Sequence, residues 1–166
     1  ILVTATTNIV TPINVTSINV TSVAEMRTAV LDSCVGADAL VMAAAVSDYR
    51  PTQVAEQKIK KNGQDGGMTL EMVKNPDFCV EVPAGVLRIG FAAETENLLD
   101  NARAKVDSKA LSLIVANDVT KEGSGFGTDT NQVTLIDAAG EAEELPLLSK
   151  YEVGHRILDR IVELLK

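Results

Sequence analysis

Short apolar runs alternate with polar, helix-spaced segments along the chain. Residues 1–5 (ILVTA) form an apolar run that suits a buried strand, and residues 18–20 a weaker one. Ser22 and Glu25 make a capping-box pattern, and Val23, Met26, Val30 and Cys34 follow at helical spacing. Residues 40–46 (LVMAAAV) are continuously apolar, as in a strand buried on both faces. Residues 47–61 are polar and carry Pro51, which predicts a loop leading into a lysine cluster. Residues 68–74 (MTLEMVK) alternate apolar and polar, as a half-buried strand does.

Residues 86–93 (VLRIGFAA) predict another buried strand. Thr95 is placed to cap a helix whose stripe is Leu98, Ala102 and Val106. Residues 111–116 (LSLIVA) and 131–136 (NQVTLI) read as strands. Ser149 and Glu152 form a second capping box, opening a terminal helix with Val153, Ile157, Ile161 and Leu165 on one face. Strands alternating with helices predict an α/β domain with a mainly parallel sheet, and MTLEMVK reads as a β-rich excursion from it. There is no internal repeat, low-complexity tract or interdomain linker, so residues 1–166 read as one domain.

Composition narrows the function classes. A net charge of -8 argues against a nucleic-acid binder held by a general basic surface. It leaves room for a phosphate ligand held by a local lysine cluster. Cys34, Cys79 and the single His155 are too few and too scattered for a zinc site or a disulfide framework, which makes cytoplasm the expected compartment. No apolar run reaches the roughly 20 residues of a membrane span, and no signal peptide is visible.

Three stretches can carry chemistry. In AAAVSDYRP (residues 43–51), three alanines at a strand's carboxyl end let a ligand approach the backbone. Asp48 emerges there, able to accept from a ribose hydroxyl or help hold a metal. Small residues that only let a helix pack close give the plainer account. In KIKK, Lys58, Lys60 and Lys61 can neutralise a triphosphate and a leaving pyrophosphate. The glycines that follow suggest a mobile loop able to close over a site, and a solvated charge run is the alternative. Lys105 and Lys109 are an i,i+4 pair on one helical face. His155 falls off the apolar stripe, so no His-based nucleophile arrangement is supported. GSGFG (residues 123–127) lacks a preceding strand, is a poor dinucleotide fingerprint, and reads as a loop placing Phe126.

The order AAAVSDYRP, KIKK, MVKNPD, GFAAETE, ARAK with a second lysine four residues on, IVANDV and GFGTDTNQVTLI resembles the phosphopantothenoylcysteine synthetase (phosphopantothenate–cysteine ligase) family over roughly residues 20–166. In most bacteria this is the C-terminal half of a bifunctional flavoprotein. The resemblance implies a Rossmann-like fold with a β-rich dimerisation element. It implies a two-step ligase reaction of coenzyme A biosynthesis. The carboxylate of 4'-phosphopantothenate attacks the α-phosphate of CTP and releases pyrophosphate. The cysteine amine then attacks the acyl-cytidylate, giving the amide and CMP. Magnesium is expected with the triphosphate, and FMN is not expected in this domain. An ATP-using version of the ligase and a nucleotide-binding module without ligase activity are the alternatives.

Site residues follow from the motif matches. Lys58 matches the catalytic lysine of the mobile loop, which also binds the triphosphate. Met42, Ala43 and Ala44 match backbone contacts at the strand end, and Asp48 a nucleotide-contacting aspartate with metal binding open to it. Pro76, Asp77, Phe78 and Cys79 match the segment around the nucleotide. Phe91, Lys105 and Lys109 match further CTP contacts. Asn117 of the shared AND motif receives no role. The expected assembly is a homodimer with MTLEMVK as interface strand, with a fused or associated flavin decarboxylase domain, no nucleic acid and no membrane.

Two departures stand out. Family members open with a strand, a Gly-rich turn and an Asn-Ser-Ser-Gly segment that holds the acyl side of the site. Here ILVTA runs almost directly into TTNIVTPINV, so that role does not pass to Asn8. Residues 78–90 are also shorter than usual. Either half of the acyl site is absent here or, the favoured reading, residues are skipped near positions 5–8 and 82–86.

Overall fold

The computed structural model describes residues 1–7, 10–60, 67–94, 97–121, 123–124 and 127–166. Thr95, Lys61, Phe126 and Asn8, all singled out above, lie outside the described residues. In chain order the elements are β1 (Leu2–Thr4), β2 (Ser17–Asn19), α1 (Val23–Ser33), β3 (Ala39–Met42), β4 (Tyr49–Pro51) and β5 (Met72–Lys74). A 3-10 turn (Phe78–Glu81) leads to β6 (Leu87–Glu94), α2 (Leu98–Lys109) and β7 (Leu113–Asp118). Then come β8 (Thr130–Asn131), β9 (Val133–Asp137), β10 (Ala142–Glu144), β11 (Leu148–Ser149) and α3 (Lys150–Leu164).

The central sheet has the order β10-β9-β7-β6-β3. β3, β6 and β7 run parallel, with α2 joining β6 to β7 and the β4–β5 ribbon and 3-10 turn between β3 and β6, while β9 and β10 continue the sheet antiparallel. β1 and β2 form a separate parallel pair. The architecture is α/β, a mainly parallel sheet flanked by helices.

Period-two alternation explains its two covered faces. Leu113 and Val115 point to one side with Ile89, Val133 and Leu135, where α3 lays down Val153, Ile157 and Ile161. Ile114 and Ala116 point to the other, against Ala102 and Val106 of α2. Each fully buried aliphatic chain stabilises the fold by about 1.5–3 kcal/mol relative to exposure. α1 builds a third cluster from Met26, Val30 and Cys34 with Val20, Phe78 and Val82. Arg27 of α1 forms an ion pair with Glu81, which fastens the 3-10 turn to that helix.

Several local expectations change. The strand at 40–46 stops at Met42, and Ala43, Ala44 and Ala45 are exposed, because β3 ends the sheet. The stretch 68–74 is a strand only over Met72–Lys74 and is exposed throughout. It pairs antiparallel with β4, inside the segment expected to be a loop, and a two-stranded ribbon has no layer to cover it. The strand at 131–136 is broken at Gln132, whose N–H is taken by the Ser124 hydroxyl at 3.2 Å. Ser149 and Glu152 form the full reciprocal capping box. Ser22 accepts from the Glu25 N–H, but Glu25 reaches back to Thr21, one residue early. Leu165 lies past the end of α3 and is exposed.

The Val86 N–H donates to the Pro83 carbonyl at 3.4 Å, and Gly85 takes a φ of +93°. Residues 82–86 are therefore a tight turn that shortens the connection to β6.

Candidate functional site

A cleft of about 380 Å³ opens beyond the carboxyl end of β3 and beside β6, where open α/β sheets place their ligands. Ten of the twelve residues expected in the site line it: Met42, Ala44, Asp48, Pro76, Asp77, Phe78, Cys79, Phe91, Lys105 and Lys109. Ala43 lines an adjoining cavity instead. Lys58 lines neither and is exposed in irregular chain, as is Lys60.

The loop after β3 turns at once, with the Val46 N–H on the Ala44 carbonyl at 3.1 Å. It is then clamped by Asn75, the residue before the Pro76–Asp77 step. Asn75 donates from its backbone to Asp48 O at 2.7 Å and from Nδ2 to Ser47 O at 2.9 Å. Its Oδ1 accepts from Arg50 Nη1 at 2.8 Å, and Arg50 also reaches Lys74 O at 3.3 Å. Asn75 is buried although polar, which these three bonds permit. Sequence reasoning passed over it. Its place directly before a proline was the available signal.

Asp77 caps the 3-10 turn by accepting from the Cys79 N–H at 3.3 Å. Its other oxygen meets Lys109 Nζ at 2.8 Å, with both side chains about 40% exposed. The i,i+4 spacing of Lys105 and Lys109 does bring both lysines to the cleft from one face of α2. Burial, then the nearby Asp77 carboxylate, push the Cys79 thiol above its ordinary range, against a smaller opposing pull from Lys109 and Arg88. Cys79 is therefore a neutral wall residue near pH 7 and not a nucleophile. Gly90 lies on the cleft floor, where a Cβ would come within 2.8 Å of Leu111 Cδ1. Phe91, 39% exposed, also lines the cleft.

Asp48 and Asp77 are the carboxylates lining the cleft, and Asp77 is engaged by Lys109. Among the described residues no group of three or more His, Cys, Asp or Glu is placed to hold a metal. The donor set suits an ion held mainly by a ligand's own phosphates, with Asp48 as a protein carboxylate.

The C-terminal domain model of the DNA/pantothenate metabolism flavoproteins matches residues 1–165. The chain belongs to this family. Within this flavoprotein family, the coenzyme A biosynthesis bifunctional protein CoaBC of Vibrio parahaemolyticus is 42% identical over 168 residues, spanning 99% of this chain and 42% of that protein. The Bacillus subtilis CoaBC is 44% identical over 146 residues, 86% of this chain and 36% of that protein. The chain thus spans about two fifths of the length of these relatives. A solved C-terminal domain of CoaBC superposes with a TM-score of 0.80 at 34% identity, covering 99% of this chain and 73% of the other. A Cab2 mutant in complex with phosphopantothenate-cysteine shares the fold at a TM-score of 0.68 and 17% identity.

No Asn-Ser-Ser-Gly occurs in these 166 residues. Among the described residues no helix is long and apolar enough to cross a membrane.

Proposed function

We propose that this chain carries the nucleotide-activating site of a CTP-dependent phosphopantothenate–cysteine ligase acting in coenzyme A biosynthesis. The observation that carries the reading is the convergence of Asp48, Asp77, Phe91, Lys105 and Lys109 on one cleft at the carboxyl end of β3. These residues come from four separate segments, and the fold brings them within reach of one polyanionic ligand.

The 4'-phosphopantothenate carboxylate attacks the α-phosphate of CTP. The α–β phosphoanhydride bond breaks and pyrophosphate leaves with its electron pair. Lys105 and Lys109 face the cleft, so their ammonium groups can neutralise charge that builds on the leaving group. Asp77 positions the Lys109 ammonium before the nucleotide arrives. Lys58 sits outside the cleft, so its catalytic role requires residues 53–60 to swing over the bound triphosphate. Magnesium, when bound with the triphosphate, supplies further neutralisation, and Asp48 is the residue to hold it. In the second step the cysteine amine displaces CMP from the acyl-cytidylate. The small side chains of Ala43 to Ala45 allow close approach there.

A CTP and magnesium titration followed by amide NMR shifts tests the site, with ATP alongside, before cysteine and 4'-phosphopantothenate are added. CTP should shift amides around Asp77, Phe91 and Lys109 at lower concentration than ATP, and CMP should appear only once cysteine is present. Preference for ATP assigns the chain to the ATP-using ligases. CTP binding without CMP release makes it a nucleotide-binding module.

A further inference from the structure

α3 carries two apolar stripes, and the sheet covers only one of them. Val153, Ile157 and Ile161 pack on the core. Tyr151, His155, Leu158, Val162 and Leu165 form a second repeat, at alternating spacings of four and three residues, and all of them are exposed. Its four large apolar members, Tyr151, Leu158, Val162 and Leu165, are between 49% and 76% exposed. At about 100° per residue the two stripes together cover roughly 200° of the helix, about twice what a helix lying on one sheet needs. Leu165, which does not join the inner stripe, continues the outer one.

Three details describe what covers the outer stripe. Gly154 sits inside α3 with an open flank, where a Cβ would meet nothing within 4 Å. Glycine inside a helix costs about 1 kcal/mol against alanine, and no neighbour among the described residues requires it here. It lies three residues after Tyr151 and four before Leu158, so it is a notch where a facing helix can approach closely. The Tyr151 and His155 rings meet edge to face at 4.6 Å, which makes the amino end of the stripe a preformed surface. Along one flank runs a row of exposed charges, Glu152, Arg156, Asp159, Glu163 and Lys166. Set against its own reverse, this row pairs opposite charges at four of its five rungs: Glu152 with Lys166 and Arg156 with Glu163, each twice. Asp159 meets its own copy, with Arg156 one turn away on each helix. Glu152 and Glu163 hold Ser149 and Arg160 through Oε2. A parallel pair would face the row with Gly154 and Ile161 and gain nothing from it. A lipid surface or a small apolar ligand would make no use of its alternating signs.

We infer that the outer face of α3 is a contact surface for a second copy of this chain, α3 against α3 in antiparallel order about a two-fold axis near Leu158 and Val162. The same patch serves on both copies, as a two-fold contact requires. Leu158 and Val162 lie beside their own copies, and Tyr151 and His155 of one helix cover Leu165 of the other. The antiparallel order also sets the two helix dipoles against each other favourably. α3 and α2 pack on opposite faces of the sheet, and the nucleotide cleft takes Lys105 and Lys109 from α2, so this pairing leaves the cleft open. It is also separate from the β4–β5 ribbon, so a chain paired through both surfaces builds an assembly larger than a dimer. With 15 residues α3 is about 22 Å long. A strip of that length buries less than the roughly 1,200 Å² of a stable interface, so the contact is weak alone and fills at high protein concentration.

The test is disulfide crosslinking of the 166-residue chain carrying one added cysteine, with copper phenanthroline and air as oxidant, read on non-reducing gels. Cys34 and Cys79 are buried, so the added, exposed thiol is the one that reacts. At matched protein concentration Leu158→Cys should crosslink at least about tenfold faster than Tyr151→Cys, because a held pair raises the effective thiol concentration. Chance collision favours the reverse order, since Tyr151 is the more exposed position. In the antiparallel pair the two copies of residue 151 stand about 20 Å apart along the axis, beyond the roughly 7 Å between Cα atoms that a disulfide spans. Equal or faster crosslinking of Tyr151→Cys marks chance collision or parallel pairing and overturns the inference. Tyr151→Cys and Leu165→Cys chains, one of them tagged, should together give the mixed disulfide in excess of both self-crosslinks. A statistical mixture of the three products overturns it as well. All three positions are exposed, so the substitutions leave the core intact, and the readout needs neither nucleotide nor turnover.

Discussion

Replacing Asn75 by alanine should loosen the wall of the cleft without abolishing the fold. The backbone bond from residue 75 to Asp48 O survives the change. Two side-chain bonds are lost, one to Ser47 O at 2.9 Å and one from Arg50 at 2.8 Å. A neutral bond is worth about 1 kcal/mol, and one to a charged group about 1.5–3 kcal/mol. Arg50 faces solvent and regains water, which favours the low end, so the sum is about 2–3 kcal/mol. For a domain of this size that lowers Tm by roughly 4–12 °C. The loop bearing Ser47 and Asp48 would lose its clamp, and CTP affinity should fall with it. Calorimetric unfolding and a CTP titration on the same preparation measure both effects. A Tm within a degree of the parent, or a large Tm loss with unchanged CTP affinity, would refute the claim that Asn75 shapes the site.

Lys109→Ala should weaken CTP binding about tenfold while costing at most about 1 kcal/mol of stability, because its pair with Asp77 is half exposed. Isothermal titration would show unchanged affinity if the lysine does not face the triphosphate. Cys34 and Cys79 are both buried, with thiols pushed above their ordinary range by burial, so iodoacetamide at neutral pH should label them only after denaturation. Native labelling at the unfolded rate would contradict that burial. Hydrogen bonds from the Ser149 hydroxyl and backbone hold the Glu152 carboxyl below its ordinary range. Its contribution is thus present above the ordinary carboxylate pKa and lost as pH falls through the depressed folded value. Glu152→Gln should therefore flatten the acid limb of the stability curve, and an unaltered limb would show that the capping box does not titrate. Tyr49, Met72 and Val73 on the β4–β5 ribbon are exposed apolar residues, which suits the homodimer that the family resemblance implies. Val73→Asp should shift light-scattering mass toward the monomer at unchanged Tm, and a monomeric parent would remove the ribbon's role.

What was legible in the sequence was local or periodic. The Ser149–Glu152 box and the terminal-helix stripe need only a few residues to declare themselves; the box formed as read, and the stripe formed over Val153, Ile157 and Ile161 but not Leu165. The run at 111–116 read as a strand, and Leu113 to Ala116 fill both cores. What stayed hidden depends on neighbours distant in sequence. β10 is an acidic, exposed edge with no apolar signal, and it exists only through pairing with β9. The length of β3 depends on what lies beside it. Ser124, buried between Asn117 and Asn131 by hydrogen bonds of 2.8 and 2.6 Å, anchors the loop after β7, and nothing in its local sequence predicted this. The cleft was legible as ordered motifs, of which AAAVSDYRP follows β3, MVKNPD ends β5 and ARAK lies within α2. The Asn75 clamp was not, since a buried asparagine has no periodic signature.

The most direct test of the account is cysteine-dependent release of CMP from CTP and 4'-phosphopantothenate, measured for the parent chain and for Lys58→Ala. The account predicts CMP and amide product in equal amounts from the parent, and severe loss in a variant that stays folded because Lys58 is exposed. CMP release that needs no cysteine, or near-normal turnover in Lys58→Ala, would contradict it.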